Sequence, residues 1–113
     1  MRKTLAAAAA VATLALAPAA VASSMDGQLL AQDDHNAGHV KRYDSLLNRL
    51  RPKCRQGRTG IARLTWSAKR VLDYRYSNLT LLLALWSSIP RGHAPMNCAG
   101  QYASMVVLLE TRR

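Results

Sequence analysis

Few residues of this chain have types and spacings that could do chemistry, and most of them are cations. The stretch RPKCRQGRTG, Arg51 to Gly60, holds four basic residues, a cysteine, a proline, two glycines and no acid. Such density suits contact with an anionic partner, because Lys and Arg neutralise anionic groups and release their counterions. GRTG lacks the Gly-Lys-Ser/Thr ending of a phosphate-binding loop. The basic run continues through Arg63, Lys69 and Arg70. Trp66 lies among these cations, about 140° around a helix from Ile61 and off the apolar stripe. Its indole can stack on Arg63 or Arg70, three and four positions away. Arg55, Arg58, Arg63, Trp66, Lys69 and Arg70 therefore form the candidate binding face, since Trp and Arg are over-represented among binding hot spots.

Catalysis and metal binding find less support. General acid/base chemistry needs carboxylates or a histidine held in a pocket. The chain from Lys41 onward offers only Asp44, Asp73 and Glu110. No serine motif proposes a base and an orienting acid. His35 and His39 are four apart and could share a metal on a helix, but Gly38 interrupts them and a third ligand is missing. His93 and Met96 are a weak soft-metal pair. The expectation is a protein that is not an enzyme and has no metal site or cofactor.

Cys54 and Cys98 are the only cysteines. Neither belongs to a CxxC pair, which argues against thiol-redox or zinc chemistry and for one disulfide between them. An oxidising destination fits the amino terminus. Arg2 and Lys3 precede an uncharged Ala/Leu/Val run from Leu5 to Ala17, and Ala20-Val21-Ala22 follows Pro18 as a small-x-small cleavage site. Residues 1–22 read as a cleaved signal peptide, with cleavage after Ala19 as the rival, and the destination as secreted or periplasmic. The Ala/Arg-rich style suggests a bacterial source. Removing residues 1–22 leaves 14 basic against 6 acidic residues, a net charge of +8.

That charge is unevenly spread. Ser23 to Val40 carries Asp26, Asp33 and Asp34 and no base, whereas Lys41 to Arg75 carries 11 basic residues and two acids. Residues 23–37 read as a flexible acidic leader and residues 38–113 as one small helical domain. Val40, Tyr43, Leu46, Leu47 and Leu50 make an apolar stripe on a first helix ended by Pro52, with Lys41, Arg42, Asp44 and Asn48 opposite. A second helix is expected to start after Thr59, as its N-cap, and to run to about Arg75, with Ile61, Leu64, Ala68, Val71 and Leu72 inward. A third, LTLLLALWSS, is capped by Ser77 or Asn78 and apolar nearly all round. A fourth runs from Asn97 to Thr111. The Asn78-Leu79-Thr80 glycosylation pattern is better read as part of a helix cap.

The fold expected is all-α: a three- or four-helix bundle, stapled by Cys54–Cys98, with its apolar centre in Leu79–Trp86. The expected function is that of a monomeric, non-catalytic binding module for an acidic protein or an anionic envelope polymer or lipid head group, with no nucleic-acid partner. A cationic membrane-active protein is the alternative, and a metal or haem carrier a weaker one.

Overall fold

The computed structural model describes residues 25–92 and 94–112. The segment read as a signal peptide, both expected cleavage positions and His93 lie outside the described residues. Among those described, five α-helices and no strands are present: α1 (residues 25–33), α2 (Val40–Leu50), α3 (Gly57–Val71), α4 (Asn78–Ser88) and α5 (Cys98–Glu110). Short 3-10 turns, Ala37–His39 and Arg51–Lys53, flank α2. The all-α class stands, and the expected three or four helices become five.

The extra helix is α1, which occupies the segment expected to be a flexible leader. Gly27, Leu30 and Ala31 recur at helical spacing and are buried. The helix ends in a Schellman turn, with His35 N donating to Gln32 O and Asn36 N to Ala31 O. His35 adopts the left-handed conformation there, at φ 55°. A histidine in that conformation breaks the helix on which His35 and His39 would have shared a metal. α3 closes in the same manner, with Asp73 at φ 57° and Tyr74 N donating to Lys69 O.

The α2 stripe is placed as its spacing predicts: Tyr43, Leu46, Leu47 and Leu50 are buried and Val40 packs against them. α3 begins two residues before Thr59 and stops at Val71, short of Arg75. Thr59 does not cap it; its hydroxyl instead donates to Asp26 on α1. Ile61, Ala68 and Leu72 face the core, whereas Val71 is exposed. In α4, Leu81, Leu82 and Leu85 are buried, so its apolar residues serve as core. Ser77 is the cap, accepting from Thr80 N at 3.0 Å. Asn78 is fully buried, which leaves its side chain inaccessible to glycosylation. The core also extends well beyond Leu79–Trp86, since Tyr43, Leu47, Leu50, Ile61 and Leu72 are equally buried.

Cys54 and Cys98 are bonded, with Cα atoms 5.4 Å apart. The surrounding backbone is clamped as well. Arg55 N donates to Met96 O and Met96 N to Lys53 O, each at 3.0 Å. Gln56 reaches across: its Nε2 donates to Asn97 Oδ1 and its Oε1 accepts from Cys98 N. Asn97 in turn caps α5 through Ala99 N and Gly100 N. Deeper in, Thr65 donates to Ile61 O and therefore accepts from Tyr102 OH at 2.6 Å, joining α3 to α5.

Two outcomes follow. The disulfide spans 44 positions, so replacing Cys54 and Cys98 together with alanine should cost about 4 kcal/mol of unfolding free energy, read by urea denaturation. Gly27 lies against Asp44 so closely that an added methyl group would overlap the Asp44 carboxylate. Gly27→Ala should therefore destabilise by about 1–3 kcal/mol. A helix interior free of that contact would gain up to about 1 kcal/mol from the same change, so the sign alone decides.

Candidate functional site

The six residues of the expected binding face divide into two groups. Three are engaged inside the molecule. Arg58 is buried and donates to the Asp44 carboxylate at 3.0 Å, to the Asp44 carbonyl at 3.3 Å and to Asn48 Oδ1. Lys69 is buried too, and its three protons go to Asp33 O, Asp33 Oδ2 and Asp34 Oδ1 at 2.9–3.1 Å. Arg70 donates to both oxygens of Asp33, the nearer at 2.6 Å, and to Trp66 O. Its guanidinium lies 3.4 Å from the Trp66 ring centroid. The stacking partner of Trp66 is thus Arg70 rather than Arg63, and that arginine is already held by a carboxylate.

The other three reach solvent. Arg63 is exposed and Trp66 is 45 % exposed. Together with Leu29, Leu30 and Ala62 they line an open groove of about 240 Å³ between α1 and α3. Arg55 is exposed in the turn after Cys54, away from that groove. The expected face is therefore not one continuous cationic surface.

Lys69 and Arg70 are withdrawn from that face by the carboxylate pair Asp33–Asp34 at the end of α1, as Arg58 is by Asp44. Asp34 accepts from Tyr43 OH at 2.6 Å, Asn78 N at 2.8 Å, Leu79 N at 3.0 Å and Lys69 Nζ at 3.0 Å. Two of these donors are the first backbone N–H groups of α4, where the helix dipole favours negative charge. Asp33 also accepts from Asn78 Nδ2 at 2.8 Å. The Arg70 hydrogen bond, opposed by burial and aided by Asn78 and Lys69, holds the Asp33 carboxyl well below its usual value. Burial acts to raise Asp34, yet the bonds from Tyr43, Asn78, Lys69 and Leu79 outweigh it and keep that carboxyl low as well. Tyr43, buried and donating to Asp34, is pushed up to about 12.

The cations left without a carboxylate lie elsewhere. The ion pairs of the described residues use Arg58, Lys69 and Arg70 alone. Lys41, Arg42 and Arg49 on α2 are exposed, as are Arg51 and Arg55 beyond it, with Lys53 half-buried between them. Lys41, Arg42 and Arg49 rim a groove of about 320 Å³ between α2 and α4, whose apolar wall is Leu46, Leu79 and Leu83. Sequence reasoning placed Lys41 and Arg42 opposite the α2 stripe but did not assign them to the binding face. The available signal was the acidic segment itself, since carboxylates without local partners would neutralise part of the basic body. No group of three or more His, Cys, Asp or Glu among the described residues is arranged to hold a metal ion.

In comparisons with known proteins, the chain matches no family model, no curated protein and no solved structure.

Acid should expose the dependence on the carboxylate pair. A carboxyl whose folded pKa is depressed contributes stability above its unfolded value, 3.8 here, and loses it as pH falls toward the folded pKa. The urea midpoint should be level from about pH 7 to about pH 5 and fall steeply below about pH 4. Asp34→Asn should cost about 3 kcal/mol at neutral pH, because Lys69 stays buried with half its compensation, and should flatten the acid limb.

Proposed function

We propose that this protein is a non-catalytic binding module that holds an anionic partner through the cations its own carboxylates leave uncompensated. The group that clusters on one helix and the turn after it is Lys41, Arg42 and Arg49 on the outer side of α2, continued by Arg51, Lys53 and Arg55. The observation that carries this reading is the division of the basic residues. Lys69, Arg70 and Arg58 are neutralised internally, while the α2 group has no acid within ion-pair distance among the described residues. Six cations on one helix and the turn after it sum into a positive potential that attracts anions and speeds their association. The alternative, a protein that disrupts bilayers with its leucine-rich helix, has less support. α4 commits Leu81, Leu82 and Leu85 to the core, and among the described residues no helix is long and apolar enough to cross a membrane. Export to an oxidising compartment remains part of the reading, and the Cys54–Cys98 bond agrees with it.

Elution from immobilised dextran sulfate tests this. Retention should be lost between about 0.05 M and about 0.5 M salt, as the screening length shrinks from roughly 14 Å to roughly 4 Å. The triple variant Lys41→Gln, Arg42→Gln, Arg49→Gln should elute markedly earlier than the unaltered protein. Arg63→Gln should shift it only slightly. Retention that ignores salt, or that the triple variant leaves unchanged, overturns the reading.

A further inference from the structure

The groove between α2 and α4 carries more than charge, and its second property narrows the class of partner. We propose that it docks the protein on an anionic phospholipid surface, with Lys41, Arg42 and Arg49 against lipid phosphates and Leu83 entering between the headgroups. The inference rests on the anion-binding reading above and extends it.

A soluble polyanion would use only the three cations. Leu83 lies among them, 42 % exposed, with Leu79 and Leu46 continuing the apolar wall beneath. An apolar side chain sharing a groove with three uncompensated cations gains from a partner that is anionic outside and apolar just below. That is the layering of a bilayer interface. The long stems of Lys and Arg suit it as well, because they run along apolar surface while the charge reaches for phosphate. Ser45, exposed between Lys41 and Arg49 on the same helix, puts no acid or bulk in the way. The contact requires no unfolding. Leu81, Leu82 and Leu85 stay in the core and Leu83 is the α4 leucine offered outward. One partly exposed leucine gives a reversible attachment whose strength comes mainly from charge.

Co-sedimentation with vesicles tests it, using the purified protein with its disulfide intact and dextran sulfate as a soluble comparator. The protein should bind vesicles of phosphatidylglycerol mixed with phosphatidylcholine and not vesicles of phosphatidylcholine alone. Near an anionic surface each Lys or Arg is worth roughly fivefold in affinity, so the triple glutamine variant should lose about 100-fold. Leu83→Gln and Leu83→Ala should each lose about fivefold on the anionic vesicles and nothing on dextran sulfate. Far-ultraviolet circular dichroism checks that both remain helical. Dextran sulfate bound but anionic vesicles ignored, or Leu83 variants that match the parent on vesicles, sinks the lipid inference and leaves the anion reading in place. Failure to bind either probe removes both.

Discussion

The structure depends on Asp33 and Asp34 finding partners 35 to 45 residues further along the chain. Carboxylates removed from water are costly unless charge and hydrogen bonds replace the lost hydration. Here both are supplied in full. Lys69 spends all three protons on the end of α1, Arg70 covers the other side, and α4 turns its first N–H groups to the same point. Four helices are fixed relative to one another by one cluster, Tyr43 adding α2, and a helix with only two fully buried apolar side chains, Leu30 and Ala31, can join the fold.

The second fastening is covalent and lies at the other end of α3. The disulfide, the paired backbone at Lys53–Arg55 and Met96, and the Gln56 bridge all gather where α3 begins. From Gly57 to Lys69 the helix rises about 18 Å. α3 is therefore held at its start to α5 and at its end to α1 and α4, with the Thr65–Tyr102 bond between. A domain of this size buries a modest fraction of its surface. Fixing the longest helix at both ends compensates for a core of few large side chains, in which Tyr43 and Tyr102 are the buried aromatic rings.

The readable parts of the fold were those governed by local rules. The α2 stripe, the Ser77 cap, the stop before Pro52 and the cysteine pairing follow from period, capping and redox chemistry within short windows. α1 escaped because its inward face is Gly27, Leu30 and Ala31, small residues with a weak periodic signal, and because its anchors are carboxylates whose partners are remote in sequence. Arg58 and Lys69 escaped for the complementary reason. Hydropathy sends a cation outward, and only the placement of Asp44, Asn48, Asp33 and Asp34 makes burial affordable. Three of the six members of the expected face, Arg58, Lys69 and Arg70, are for that reason paired within the fold.

Internal pairing leaves the net charge unchanged but decides where the positive potential appears. Each ion pair joins one base to one acid and cancels locally, so the surplus of the chain collects on the basic residues the carboxylates do not reach. Asp33 and Asp34 take the cations at the end of α3, and Asp44, on α2 itself, turns toward Arg58 at the start of α3. α2 is thereby stripped of its only acid as a surface group and keeps Lys41, Arg42 and Arg49 outward. The pairing that holds the helices together also clears one helix face of compensating charge. Stability and the proposed anion contact are thus two results of a single arrangement of acids.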